Sequence, residues 1–370
     1  MANLFSPGLT VSPRHRVVKR RELPMKGEIL VRPGDVVAGD QIVARAELEG
    51  ELRIVRVAEQ LGIVPEDIGK YLRVEKGQHV ASGEVVAEMR GLWGLFRSMV
   101  SAPLSGTIEF VSTSTGHIGV RAAPKPLHLS AYIDGRVLSI DEGRAVIIEA
   151  HATFVQGIFG VGGERRGRLK LLDVRHDAQI DHNHIPNDVA GCVLVGGHSP
   201  TSAALRKAAD GGAVGLVTGS LSGATLHEYL GYDIGIALTG DEDVSMTVIV
   251  TEGFGSIAMG ERTLSTLRHV DGSMVSINGA TQVRAGAQRP EIIAPPGNGA
   301  ESGERTHEGL QVGARVRVIR VPYFGVIGHV ASLPRQLTKI ETGAETRVLT
   351  VTLTDGKSIT VPRANVELLG

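Results

Sequence analysis

Gly34-Asp35-Val36-Val37-Ala38-Gly39-Asp40-Gln41-Ile42-Val43-Ala44 aligns without gaps on Gly77-Gln78-His79-Val80-Ala81-Ser82-Gly83-Glu84-Val85-Val86-Ala87. The pairs Gly34/Gly77, Val37/Val80, Ala38/Ala81, Val43/Val86 and Ala44/Ala87 are identical. In each copy, Gly and small polar residues punctuate β-branched runs. Each therefore reads as a turn, a short strand, a second turn and a second strand. Two such copies suit a quasi-symmetric β-sandwich.

The second copy leads into Ser101-Ala102-Pro103-Leu104-Ser105-Gly106-Thr107-Ile108-Glu109-Phe110-Val111. A Gly-x-x-Val-x-x-Gly-x-x-Val-Ala strand pair, then an Ala-Pro-x-x-Gly-x-Ile turn and strand, resembles biotinyl/lipoyl-like domains and their barrel-sandwich hybrid relatives over about residues 26–125. In the carrier members of that family a modified Lys sits in the hairpin between the two halves. Here that hairpin, Glu88 to Met99, has no Lys. Without the amine there is no amide to biotin or lipoate, so the resemblance implies the fold and not the carrier chemistry. Trp93 and Phe96 in the hairpin are candidates either for an apolar contact with another domain or subunit, or for local packing.

A chain of 370 residues accommodates two to four domains at roughly 100–200 residues each. Frequent Gly and scarce aromatics favour many turns and argue against a large aromatic platform for nucleic acid. The formal net charge of −1 gives no chain-wide electrostatic footprint for DNA or a membrane. The single cysteine, Cys192, excludes a disulfide framework or a Cys-based zinc site within one chain and points to a reducing compartment. No apolar run of signal-peptide type opens the chain, and none approaches about 18 residues. A soluble, cytoplasmic protein without a membrane partner is expected. Residues 1–25 read as an N-terminal arm, loose to about Pro13. The basic cluster Arg14, His15, Arg16, Lys19, Arg20, Arg21 and Lys26 follows, either a solvated strand or a patch for phosphate or an acidic partner.

Residues 26–168 read as one β-rich region. Asp134-Gly135 is a hairpin signal between Tyr132 and Glu149. Gly157 to Glu164 is Gly-rich but lacks the Gly-x-Gly-x-x-Gly spacing into a helix, which leaves a hinge or tight packing beside nucleotide binding. From Leu169 to Ala294 strands and helices alternate, which implies right-handed crossovers and a mainly parallel sheet. Strands are expected at Gly191–Val195, Val214–Val217, Met246–Val250 and Ser273–Ile277. Helices are expected at Ser202–Asp210, with Ser199 as N-cap and Pro200 at N1, at Ala224–Leu230 and at Glu261–His269.

Ligands in open parallel sheets bind beyond the carboxyl ends of the strands. Gly197, His198, Ser199, Thr218, Glu252 and Gly253 lie there and form the candidate ligand or anion site. Backbone N–H groups at the Ser199 helix start would favour an anion, and His198 with Glu252 would form an acid/base pair. His176, His182 and His184 lie in a polar stretch with Asp177 and Asp181. They form a candidate divalent-metal set, the alternative being a solvated loop. Asn278, Gln282 and Arg284 would line a cleft or sit in a turn. No residue set earns a catalytic assignment, and the sequence names no cofactor.

Residues 295–309 read as a Gly/Pro/Glu linker. Beyond it, Val312-Gly313-Ala314-Arg315-Val316-Arg317-Val318-Ile319-Arg320 alternates apolar and basic residues. Period two puts Arg315 and Arg317 on the face opposite Val316 and Val318. Pro322-Tyr323-Phe324-Gly325-Val326-Ile327 gives a turn and a second strand, and Asp355-Gly356 a hairpin. These elements resemble the KOW motif of SH3-like barrels in ribosomal proteins and NusG-type transcription factors. Val321 departs from the Gly that relatives often have before the Pro. The resemblance implies a binding module over 310–370, with Arg315, Arg317, Arg320, Tyr323, Phe324 and Gly325 as its surface. The expectation is a multidomain α+β chain: a barrel-sandwich-like region, a central α/β domain and a C-terminal SH3-like barrel. Its expected role is that of a non-enzymatic adaptor whose barrel contacts RNA or a protein of the transcription or translation machinery. A ligand- or nucleotide-binding protein or enzyme working at the central strand ends is one alternative. A self-assembling homo-oligomer is another.

Overall fold

The structure is a computed structural model. It describes residues 9–91, 96–232, 242–281, 288–297, 310–319, 322–323, 325–334, 336–339, 345–353 and 356–368. The chain is β-rich, and its largest element is an eleven-stranded mixed sheet. Its parallel part comprises Glu164–Leu171, Cys192–Val195, Gly215–Leu221 and Thr247–Phe254, in that order. The remaining pairings are antiparallel: Phe159–Val161 flanks one side, and Met274–Asn278, Glu291–Ala294, Ala145–Gln156, Gly135–Asp141 and Val36–Val37 continue the other, with Val11–Glu22 also on Ala145–Gln156. The sheet is thus mixed where a mainly parallel one is expected. Parallel pairing needs a long crossover, and here helices supply it only at Ser202–Asp210 and Gly223–Leu230.

Alternation along the parallel strands separates two apolar layers. Leu194, Leu216, Val248 and Val250 pack with Ala204, Leu205, Ala208 and Leu226 of those two helices. Val193, Val195, Val217 and Ile249 pack on the other side with Leu264 and Leu267 of the helix Glu261–Arg268. The strand Glu164–Leu171 runs through 168/169, where the sequence places a boundary, so the sheet is continuous there.

The N-terminal arm holds a strand from Val11 onward. Val11–Glu22 is a long strand paired with Ala145–Gln156. Its basic side chains meet carboxylates: Arg16 with Glu149, Lys19 with Glu291, Arg20 with Glu22 and Asp141, and Arg21 with Glu164. The expected Asp134-Gly135 hairpin turn does not form. Asp134 instead accepts from Gly39 N at 2.7 Å, and the hairpin between Gly135–Asp141 and Ala145–Gln156 closes at Glu142–Gly143, where Gly143 has φ +70°. The Gly157–Glu164 stretch packs tightly as an edge strand: a Cβ on Gly160 would lie 2.7 Å from Gly279 O.

The sequence repeat is a structural one, and its copies are nested. Gln41 N donates to Ala38 O, as Glu84 N does to Ala81 O; Gly34 N donates to Val137 O, as Gly77 N does to Ile108 O; Ala131 N donates to Gln41 O, as Ala102 N does to Glu84 O. In the outer copy Ile42–Leu48 pairs with Lys125–Ser130, from Ile42↔Ser130 to Leu48↔Lys125. In the inner copy Val85–Gly91 pairs with Phe96–Ser101, from Val85↔Ser101 to Gly91↔Phe96, with the irregularity at the same place. Residues 49–124, which hold the whole inner copy, therefore occupy the hairpin tip of the outer one. The inner copy keeps its own core of Val55, Ile68, Val80, Val86, Ile108 and Ile118, among others. Trp93 lies outside the described residues.

Tyr132 joins the outer copy to the large sheet. Its φ is +70°, unusual for a residue with a Cβ. Its hydroxyl donates to Glu291 at 3.1 Å, and its ring carries Lys19 and Arg21. Burial, followed by the charge of Glu291, pushes the phenol well above its usual pKa.

Residues 310–368 form a separate six-stranded antiparallel sheet from Arg315–Val318 to Val366–Leu368 around their own apolar core. Among the described residues, no helix is long and apolar enough to cross a membrane.

Candidate functional site

The parallel strands deliver Gly197, His198, Ser199, Thr218, Glu252 and Gly253 to one end of the sheet, as β-strand direction dictates. The local chemistry there differs from the expectation. The N-cap of the helix Ser202–Asp210 is Thr201, whose hydroxyl accepts from Ala204 N at 3.1 Å. Ser199 is buried one turn earlier, where its carbonyl accepts from Ile180 N, and Pro200 bridges to Ile180 as a short strand. Extended pairing of residues 199–200 with Ile180 delays the helix, so Ser199 offers no helix N-terminus to an anion.

The crevice is filled by the chain that follows the last parallel strand. The Ser220 hydroxyl lies 2.7 Å from His198 O and 2.8 Å from Gly255 O and accepts from Ile257 N at 2.8 Å. A Cβ on Gly219 would lie 2.4 Å from Met259 N, so only glycine admits this segment. The Glu252 carboxylate accepts from Gly260 N at 2.9 Å through Oε1. His198 Nδ1 and Thr218 Oγ1 are buried there with no hydrogen-bond partner.

The second oxygen of Glu252 reaches outside the central sheet. Oε2 accepts from Arg317 Nη2 at 2.7 Å. Arg317 Nη1 donates to Glu367 Oε1 at 2.8 Å, and Glu367 Oε2 accepts from Arg289 Nη1 at 2.7 Å. Arg317 is 1% exposed and Glu367 fully buried. Arg317 and Glu367 are direct cross-strand partners in the C-terminal sheet, a favourable place for opposite charges. A further contact is backbone on backbone: a Cβ on Gly253 would stand 3.4 Å from Gly325 O. The two sites expected separately, one at the strand ends and one on the C-terminal module, thus meet. The charge arriving at Glu252 is a guanidinium, opposite in sign to the anion the sequence suggests, and the carboxylate is committed to it and to Gly260 rather than to His198.

The other C-terminal candidates divide. Arg315 is exposed, Tyr323 is 39% exposed, Gly325 is buried, and Arg320 and Phe324 lie outside the described residues. Alternation predicts Arg315 and Arg317 on one solvent face; that face turns inward at Arg317 because two carboxylates receive it.

The histidine stretch is a capped turn. Asp181 caps His182–His184 by accepting from Asn183 N and His184 N, and His184 Nδ1 accepts from Asp181 N in return. The Asn183 N–H, then His184, holds the Asp181 carboxyl below its usual pKa. The His182 carbonyl accepts from Lys207. Among the described residues, no three His, Cys, Asp or Glu side chains gather in a way that would hold a metal ion, so His176, His182 and His184 are not brought together as ligands. Asn278 turns its amide oxygen to Ala280 N; Gln282 and Arg284 lie outside the described residues.

Glu367 and Arg289 escape sequence reasoning. Glu367 sits between two core residues, Val366 and Leu368, so alternation only sends it to the opposite face. Its partners appear once the strands are paired. No protein-family model and no curated protein matches this chain.

Proposed function

We propose that this protein is a non-enzymatic adaptor whose residues 310–370 form a KOW-type, SH3-like module contacting RNA or a protein of the transcription or translation machinery, with a barrel-sandwich-like region and the central α/β region as its scaffold. The observation that carries this reading is the C-terminal antiparallel unit, with its own core and with Arg315 and Tyr323 left on its surface. The duplicated turn-and-strand unit supports a barrel-sandwich kinship for residues 26–125. The test is affinity capture of the full chain and of a chain lacking 310–370, each with and without nuclease. The deletion is expected to remove the captured RNA or machinery protein; an unchanged set of partners would refute the reading.

A second reading, a ligand site at the strand ends, is favoured by the unpartnered His198 Nδ1 and Thr218 Oγ1. Two buried polar atoms without partners cost roughly 1–3 kcal/mol each, a penalty that a bound polar group would relieve. Calorimetric titration with nucleotides and phosphate checks it. Absence of heat at about millimolar ligand, an affinity near −4 kcal/mol, would count against it.

A further inference from the structure

We propose that the C-terminal module is a releasable cover over the carboxyl ends of the parallel strands, and that closure hides the Arg317 face of the module and the Glu252 end of the sheet from any outside partner.

Three observations carry this. First, among the described residues the module shares no buried core cluster with the rest of the chain. Its buried cluster runs from Val316 to Leu368, and the two central layers contain none of these residues. Closure therefore does not merge apolar interiors, the arrangement that would make separation expensive.

Second, the described polar contacts between the two parts are ionic. Arg317 and Arg289 are matched by Glu252 and Glu367, two charges of each sign. The Arg317–Glu367 pair stays with the module on opening, while Glu252 and Arg289 stay with the body. Separation costs the Coulomb attraction across the contact but returns each ion to water, and for desolvated pairs these quantities nearly cancel. Such a contact is specific in geometry and modest in net strength.

Third, two glycines meet backbone to backbone across the contact, Gly253 at φ +142° and Gly325 at φ +84°, and a Cβ on Gly253 would stand 3.4 Å from Gly325 O. Their hydrogens leave the contact at this point to backbone atoms, so the side chains described across it are those of Arg317 and Arg289 with their carboxylates.

The test uses the full chain with a protease site placed within residues 298–309. After cleavage, size-exclusion chromatography reports whether the C-terminal fragment travels with the body. At about 0.05 M salt, where the screening length exceeds 10 Å, wild-type fragments are expected to co-elute. At about 1 M salt, where it is near 3 Å, they are expected to separate. E252Q keeps an oxygen for Gly260 N but removes the charge facing Arg317, and its fragments are expected to separate at the low salt where wild-type fragments co-elute. R347Q, at an exposed position of the module with no described contact to the body, is expected to behave as wild type. Separation of the wild-type fragments at low salt, or their persistence together at high salt, would overturn the proposal whether or not E252Q folds. The experiment reads no RNA or protein partner, so it stands or falls apart from the adaptor reading.

Discussion

Glu88 holds three arginines with one carboxylate. Oε1 accepts from Arg90 Nε at 2.6 Å and Arg97 Nε at 2.8 Å, and Oε2 accepts from Arg73 at 3.1 Å. Arg90, ahead of Arg97, holds the acid at a pKa of about 2. An unfolded Glu titrates near 4.3. The folded value is the lower one, so the group stabilises the fold above pH of about 4.3, and the gain disappears as pH falls through about 2. Thermal unfolding followed by circular dichroism from neutral pH downward should show wild type above E88Q, with the gap closing across that window. A gap independent of pH would show that the charge is not the source. Ser220 gives a second residue-scale expectation. S220A leaves Ile257 N without its acceptor and should cost about 1–3 kcal/mol in chemical denaturation. Arg317 shows where reading single residues stops. The Val-Arg-Val-Arg alternation is visible in the sequence and correctly separates it from Val316 and Val318. Its burial depends on Glu252 and Glu367, each about fifty or more positions away, and no local pattern announces a partner at that distance.

Elements were legible where local chemistry decides them. The Ala-rich stretch closed by Gly211-Gly212 forms the helix Ser202–Asp210, and the runs around Val193, Val217 and Val248 form strands, because propensity and turn residues agree there. Two local signals lost to tertiary context. Ser199 and Pro200 look like a helix start but pair with Ile180. Asp134-Gly135 looks like a hairpin turn, but the Asp134 carboxylate is taken by Gly39 N and Arg166. The assignment of Thr201 as N-cap is testable: T201A should destabilise by about 1 kcal/mol, whereas S199A should not reproduce a cap loss. Equal effects on helix protection in hydrogen exchange would contradict it. The candidate site was readable only as a list of strand ends. Which of them are covered depends on the 255–260 segment and the C-terminal sheet, and strand periodicity carries no information about either.

For the whole molecule, the repeat was visible but its nesting was not, since nesting depends on Leu48 pairing with Lys125 across all of the inner copy. Nesting makes a strong prediction. Residues 49–124 can be replaced by a two-residue Asn-Gly turn, because Leu48 and Lys125 are already hairpin partners. The shortened chain should melt cooperatively, and residues 49–122 expressed alone should melt cooperatively as well, given their self-contained core. Loss of the three-stranded sheet of Glu28–Ile29, Ile42–Leu48 and Lys125–Ser130 in the shortened chain would mean that the inner copy is needed to build the outer one.

The same nesting sets an order of events during folding. Closing the outer hairpin across residues 49–124 of a disordered chain costs about 2.5 kcal/mol more than closing a four-residue turn. Once the inner copy is formed, Gly50 and Arg121 are already in contact and the ends to be joined are adjacent. Assembly of this half of the protein is therefore expected to proceed from the inside outward, and mutations that slow the inner copy should delay the outer hairpin and its three-stranded sheet without touching them.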